Sequence, residues 1–192
     1  MRAGSKSSDR VFDGMTANEH VGGQSRVQGK FILELVRDGE VIEEFETPNL
    51  VVDEGLDYQR GAVLLGETQV DSWYVALVDG NPTIAAGDTY ATQAGWSEIT
   101  DYDEANRPAW TGVAGATGVA TNSADRAEFT ISAGGATIGG VALVGGGSDA
   151  NTKGDTAGGG TLFSASAFTG GDRSLQESDV LRVTWQHTHS NA

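Results

Sequence analysis

The sequence predicts an all-β protein, built as a single antiparallel β-sandwich with one short helix and a flexible N-terminal arm. Short runs of β-branched and aromatic residues recur along the chain and are separated by clusters of turn residues, a pattern typical of sandwiches and barrels. Glycine occurs 28 times in 192 residues, about twice the number that an average usage of ~7% gives. The glycines do not recur at every third position, so they indicate turns and bulges rather than a collagen-like helix. Among sandwich topologies we expect a jelly roll first and an immunoglobulin-like arrangement second.

Residues 1–26 differ from the rest because they are polar and small, with Val11, Phe12 and Met15 as isolated apolar residues. So few apolar side chains do not offset the entropy lost on ordering, and we expect an arm that is disordered in the free protein. Two roles stay open for it. It is either a dispensable leader or a segment that becomes ordered across a neighbouring subunit, with Phe12 and Met15 as anchors. The sandwich domain is predicted to span residues 27–192.

The first element of the sandwich is predicted to be a β-hairpin. Phe31, Leu33 and Leu35 occupy alternate positions in a strand-like run, and a second such run follows shortly after. The dipeptide Asp38-Gly39 stands between the two runs. A type I′ turn needs positive φ at both central residues, which Asp-Gly tolerates, so this dipeptide is a strong hairpin signal.

A short helix is predicted next, over residues 54–65. Asp53 is a candidate N-cap, because its carboxylate can accept hydrogen bonds from the unpaired N–H groups of the first turn. Gly55 and Gly61 weaken the helix, since glycine has a low helix propensity. The residues expected near one face are Leu56, Gln59, Val63 and Leu64.

The rest of the chain holds the other strands and two long connections. Strand-like runs, in which β-branched and aromatic residues dominate, occur at 72–78, 127–132, 137–144, 161–168 and 179–185. Residues 84–109 have no sustained periodicity but carry aromatic and acidic residues, which indicates an ordered surface loop. Residues 145–160 contain seven glycines and are predicted to form the flexible tip of a hairpin.

The composition argues against several classes of function. The chain has no cysteine, so it has no disulfide, thiolate metal site or thiol nucleophile, and it suits a reducing cytosol. Its 27 acids and 12 bases give a net charge of −15, which repels nucleic-acid phosphates and anionic lipids. We therefore expect neither nucleic acid nor membrane as a partner. The acidic excess fits either a basic protein partner or simple solubility.

Histidines are few and lie towards the chain ends. They are His20, His187 and His189. A serine hydrolase needs a rigidly held histidine, so no such triad is expected here. We predict a frayed C-terminal end for His187 and His189, with a shared metal as the alternative.

The other candidate chemistry is a cluster of carboxylates at Asp101, Asp103 and Glu104. Such a cluster resembles a set of calcium ligands, or the carboxylate pair of a glycosidase. The glycine that an EF-hand turn requires is absent, so we favour a solvated acidic loop. The sequence thus predicts a protein that is not an enzyme and that has no catalytic residues, cofactor or metal.

A set of stretches with coherent spacing extends over most of the chain between Val27 and Trp185. These stretches are NLVVDEGL at 49–56, WYVAL at 73–77, DT at 88–89, GWSE at 95–98, Tyr102, RPAW at 107–110, NS at 122–123, AEF at 127–129, IGGVAL at 138–143, LF at 162–163, Phe168, Arg173 and DVL at 179–181. Taken together they resemble the capsid decoration, or head cement, proteins of tailed phages.

The resemblance implies a structural virion protein that binds the major capsid protein between capsomers on the outer surface of the head. It further implies a protein that is made in the host cytoplasm, located on the virion, and a homo-oligomer, either a dimer or a trimer. The alternative is a phage tail or fibre domain that binds carbohydrate, with Trp96 and Trp110 as sugar platforms. From the arm and the long loop, the expected contact residues are Phe12, Met15, Trp96, Tyr102, Arg107 and Trp110.

Overall fold

The computed structural model describes residues 25–116, 118–132 and 134–191. It confirms the predicted all-β sandwich, in which two antiparallel sheets are accompanied by one short α-helix in the described part of the chain. The first strand begins at Ser25, two residues before the predicted start of the domain. The predicted arm, including Phe12 and Met15, lies outside the described residues apart from its last two.

Sheet A has six strands in the described part of the chain. They are β1 (Ser25–Arg37), β2 (Glu40–Pro48), β7 (Val113–Ala114), β8 (Val119–Thr121), β9 (Ala127–Thr130) and β13 (Val180–Asn191). The strand order is β2-β1-β13-β8-β7, and β9 also pairs with β13. The first and last strands, β1 and β13, pair from Ser25 opposite Asn191 to Val36 opposite Val180.

Sheet B has seven strands by the same description. They are β3 (Leu50–Val51), β4 (Trp73–Asp79), β5 (Glu98–Ile99), β6 (Ala109–Trp110), β10 (Ala136–Gly145), β11 (Thr161–Ala167) and β12 (Arg173–Leu175). The strand order is β3-β11-β10-β4-β5, with β12 beside β10 and β6 beside β4. The finer choice between jelly-roll and immunoglobulin-like topology stays a prediction.

The turn between β1 and β2 confirms the predicted hairpin. Asp38 and Gly39 have φ angles of 52° and 83°, and Arg37 pairs directly with Glu40. Both central residues thus have the positive φ that a type I′ turn requires.

Two apolar cores lie on the two faces of sheet B. The main core fills the space between the sheets and includes the fully buried Phe31, Leu33, Leu77 and Phe129. A second core lies on the outer face of sheet B and is made by the alternate residues of β4 and β10. Because sheet B is covered on both faces, β10 is an almost continuous run of buried residues.

The helix differs from the prediction in two ways. The α-helix α1 spans Asp53–Arg60 and is followed by a π-helical turn, Gly61–Leu65. Asp53 is the first helical residue and not the N-cap, since Val52 is the N-cap residue and makes no side-chain capping bond. A Cβ added at Gly55 would lie 2.2 Å from the carbonyl oxygen of Phe163. The glycine that weakens the helix therefore also lets it approach β11 closely.

The C-terminal end of the described chain is not frayed, which corrects the prediction. Residues 187–191 continue β13 and pair with β1 on one side. On the other side, Gln186 to Thr188 pair with β8. The pairing on both sides explains why a terminal strand stays in the sheet.

Candidate interaction surface

The outer face of sheet B is covered by a loop layer, which we define as residues 80–108 together with 146–160. Tyr90, Trp96 and Ala150 from these two connections are buried in the second core. The first connection is thus an ordered loop that packs on the sheet, in agreement with the prediction. The glycine-rich connection was predicted to be a flexible hairpin tip, but it folds back and contributes a buried residue.

Arg107 joins the two connections of the loop layer. Its Nε donates to Glu98 Oε1 at 2.8 Å, and its Nη2 donates to the other carboxylate oxygen. Its Nη1 donates to the Ala150 carbonyl at 2.9 Å, and its Nη2 also donates to the Asp155 carbonyl at 2.8 Å. Arg107 is only 4% exposed, so this is a buried, bidentate ion pair that also satisfies backbone carbonyls.

The charges of this network are mutually dependent. Burial disfavours the charged form of Arg107, but its hydrogen bonds and charge interaction with Glu98 outweigh that cost and raise its pKa. Tyr90 also has a raised pKa, chiefly because it is buried. The Tyr90 hydroxyl donates to Asp155 at 2.8 Å, and this hydrogen bond is the main cause of the lowered pKa of Asp155. Arg107 and Asp155 therefore both stay ionised at neutral pH.

Two further carboxylates anchor the same layer. Trp96 is 7% exposed, and its Nε1 donates to Asp88 at 3.0 Å. Glu54, on α1, accepts hydrogen bonds from the backbone N–H of Tyr90 at 2.8 Å and of Leu162 at 2.6 Å. These acids were not singled out from the sequence. In the sequence, an acid that binds backbone N–H groups looks the same as an acid that is exposed to solvent.

Tyr102 belongs to the same long loop, but its side chain packs in the main core between the two sheets. It is 2% exposed, and its ring packs edge-on against Phe129 with centroids 5.0 Å apart. Lys153 covers the ring, with its Nζ 4.3 Å from the centroid, and donates to the Tyr102 carbonyl at 2.6 Å. Burial raises the pKa of Tyr102.

Trp110 is half-buried, and it is the most accessible of the four contact residues predicted in the long loop. Its ring meets Trp185 edge-on at 5.1 Å, and its Nε1 donates to the Trp185 carbonyl at 3.3 Å. Trp96, Tyr102 and Arg107 are buried within the chain. Direct contact with a partner stays a prediction for all four residues. The three buried residues lie beneath the surface, where they support the exposed residues of the loop.

The three acids of the cluster in the long loop differ in their surroundings. Asp101 and Asp103 are exposed. Both carboxylate oxygens of Glu104 accept the backbone N–H of Thr130 at 3.1 Å. In the ranges that the structure describes, no group of three or more histidines and acids is arranged to hold a metal ion.

The two C-terminal histidines meet the helix. Gln59 Nε2 of α1 lies 3.2 Å from His187 Nε2 and 3.4 Å from His189 Nε2. His187 stacks on Trp185 with centroids 5.1 Å apart, and its Nδ1 is buried without a hydrogen-bond partner. Burial first, and then the charge of His189, lowers the pKa of His187 to about 4. His187 is therefore a neutral packing residue at neutral pH.

The acidic excess belongs wholly to residues 25–192. The first 24 residues contain three acids and three bases, which leaves 24 acids and nine bases in the remainder of the chain. Seven of these nine bases form ion pairs with acids in the described structure. On the outer face of sheet A, for example, Glu34 accepts from Arg126 and also faces Arg182 at 3.9 Å. The surface is left with many carboxylates and few unpaired cations.

One end of the molecule exposes an apolar tip, which we define as Leu56 together with Val63, Leu64 and Leu65. The exposed fractions are 41% for Leu56 and 75%, 73% and 67% for the other three in order. The sequence predicted a shared helix face for most of these residues, and a shared apolar face is normally buried. The helix instead approaches sheet B through Gly55, beside Phe163, and through Tyr58, whose ring packs edge-on against Trp73.

Neither α1 nor the π-helical turn, the helical elements of the described part, is long and apolar enough to cross a membrane. Comparison of the chain with models of protein families, with curated proteins and with solved structures finds no match.

Proposed function

We propose that this protein is a structural component of a tailed-phage virion that binds the outer surface of the head between capsomers and stabilises it. The observation that carries the proposal is the unbalanced charge of the folded body. Seven of the nine bases in residues 25–192 are engaged in internal ion pairs, so most of the exposed carboxylates have no pairing cation among the described residues. Such a surface fits a basic partner surface, as an electrostatically matched protein interface requires.

The loop layer supports the same role. A protein that reinforces a shell must keep its shape under load, and long loops usually deform first. Here the long loop is tied to the glycine-rich connection through the buried pair of Arg107 with Glu98. The contact residues predicted in that loop belong to the segment held by this ion pair. Asp101 and Asp103 of the same loop are exposed to solvent.

The remaining parts of the proposal follow from the resemblance described above. The partner is the major capsid protein, the copies associate as dimers or trimers, and the protein is made in the host cytoplasm before it joins the virion surface. It is proposed to act without catalysis. The carbohydrate alternative loses one of its two predicted platforms, because Trp96 is buried and bonded to Asp88 and so offers no open ring face for a sugar. The other platform, Trp110, is half-buried and packs edge-on against Trp185.

The test is to add purified protein back to phage heads that have been stripped of it, and to image the heads by electron cryo-microscopy. Density at the capsomer junctions is expected, with binding that weakens as salt is raised from about 0.05 M to about 0.5 M. Density confined to the tail or fibres, or no binding to heads at any salt, would overturn the proposal.

A matched pair of variants locates the contact face. D101N/D103N and D38N/E40Q each remove two exposed charges, the first from the long loop and the second from the β1–β2 hairpin. The loop variant is expected to weaken binding to heads by about tenfold, and the hairpin variant to change it little. Equal losses from both variants would mean that the long loop is not the contact face.

A further inference from the structure

The apolar tip has no partner within the described part of the chain, although a folded domain seldom leaves several large apolar side chains together in solvent. Val63, Leu64 and Leu65 are consecutive and each is at least 67% exposed. Contiguous apolar patches of this kind usually mark a binding surface. The π-helical turn that carries them is a rare conformation that is often found at functional sites.

We propose that the N-terminal segment of the same chain covers the apolar tip, with Phe12 and Met15 packed on Val63, Leu64 and Leu65. The point of entry of the segment supports this occupant. Val27 of β1 lies opposite His189 in β13, and His189 contacts Gln59 of α1. Val63 follows Gln59 by four residues in the continuous helical segment 53–65, which is about one turn, or roughly 6 Å along the helix axis. The segment therefore joins the sandwich beside the tip.

The length of the segment is sufficient. Ten residues separate Met15 from Ser25 in the sequence, and an extended chain of ten residues reaches about 33–36 Å. A segment tethered so close meets the tip at an effective concentration of about millimolar, without the cost of bringing two molecules together.

Charge favours this segment over the body of a second copy. The first 24 residues have three acids and three bases, whereas the remainder carries the whole net charge of −15. Two bodies brought together through their tips would repel each other, while the neutral segment meets no such repulsion. The segment also supplies the matching chemistry, because Val11, Phe12 and Met15 are close in sequence and otherwise isolated among polar residues.

The absence of cysteine from the chain makes a disulfide test direct. In full-length M15C/L64C, oxidation is expected to give an intrachain disulfide at least about tenfold faster than in M15C/V113C. Val113 is a fair control because it is 58% exposed. It is also within reach, since it pairs with Thr121, Thr121 pairs with Gln186, and Gln186 lies opposite Lys30, five residues along β1 from Ser25. Equal rates in the two pairs, or disulfides mainly between copies, would overturn the proposal.

Substitution of Phe12 distinguishes specific packing on the apolar tip from random encounters of a tethered segment. F12S is expected to slow disulfide formation in M15C/L64C several-fold and to leave M15C/V113C unchanged. In the cysteine-free protein, F12S is also expected to speed amide hydrogen exchange at residues 61–65. If F12S alters neither the cross-linking rate nor the exchange, the tip is not covered by this segment. Both measurements use the protein alone, so their outcome does not depend on whether the protein binds a phage head.

Discussion

Arg107 holds together two loops that have little secondary structure of their own. Its guanidinium is bound by Glu98 and by the carbonyls of Ala150 and Asp155. The Glu98 side chain is 8% exposed, so without its partner this carboxylate would be buried and unpaired. Loss of one partner from such a pair costs far more than the pair itself contributes, because the remaining charge stays desolvated.

We therefore predict that Arg107→Met lowers the free energy of unfolding by about 3–5 kcal/mol. Arg60→Met is the matched control, since the Arg60–Asp57 pair is 60% and 65% exposed, and loss of an exposed pair costs about 0–1 kcal/mol. Urea unfolding of the two variants measures both effects. Similar small losses would mean that the Arg107 network is not important for stability.

His187 makes stability depend on pH. The folded state holds the pKa of His187 at about 4, below its ordinary value of 6.5, because the charged ring would be desolvated. Between these two values the unfolded chain binds the proton and the folded chain does not, so stability falls as pH is lowered through this window. Above about pH 7.5, one unit over the unfolded pKa, the ring is almost wholly neutral in both states and the effect is absent.

The size of this effect follows from the two pKa values. The difference corresponds to a loss of about 3 kcal/mol by pH 4. His187→Phe keeps an aromatic ring in the stack on Trp185 and removes the titration. The variant is expected to show a shallower fall in the free energy of unfolding between pH 6.5 and 4, measured by urea unfolding against the wild type. Parallel curves would assign the fall to carboxylates instead.

The helix α1 depends on a close approach to β11. A side chain at Gly55 would meet the backbone of Phe163, which cannot move aside as a flexible side chain can. In an isolated helix, alanine is preferred over glycine by about 1 kcal/mol. At this position the steric clash outweighs that preference.

We predict that Gly55→Ala lowers the free energy of unfolding by about 1–3 kcal/mol despite its better helix propensity. Gly87→Ala is the control, because a Cβ there has nothing within 4 Å, and a change of no more than about 0.5 kcal/mol is expected. Thermal unfolding followed by circular dichroism measures both. A Gly55→Ala protein as stable as the wild type would mean that the helix can shift away from β11.

Elements with a local signal were predicted, and elements set by tertiary contacts were not. Asp38-Gly39 specifies its turn through backbone conformation alone, and the alternating run of β1 shows which face is buried. The burial of Arg107 and Trp96 depends on acids about ten residues away in the chain, which no local pattern reveals. No local pattern indicated that Gly55 and Tyr58 would be the residues of α1 that pack on sheet B. His187 stays in the sheet because two distant strands flank it.

The molecule as a whole carries its net charge of −15 within residues 25–192. Many carboxylates close together repel one another, and the unfolded chain relieves this repulsion by expanding. We predict that the free energy of unfolding rises by about 1–2 kcal/mol when sodium chloride is raised from about 0.05 M to about 0.5 M, because salt screens the repulsion. Urea unfolding at the two salt concentrations tests this. A fall in stability would mean that the ion pairs outweigh the repulsion.

The pairing of β1 with β13 has a consequence for synthesis on the ribosome. Ser25 lies opposite Asn191, so the second of these residues must be translated before the central pair of sheet A is complete. Until then β1 can pair only with β2, and its other edge, a row of backbone N–H and C=O groups, has no native neighbour. Contacts of such long sequence separation form slowly. That edge of β1 therefore stays without its native partner until β13 has been translated, and the central pair of sheet A forms late.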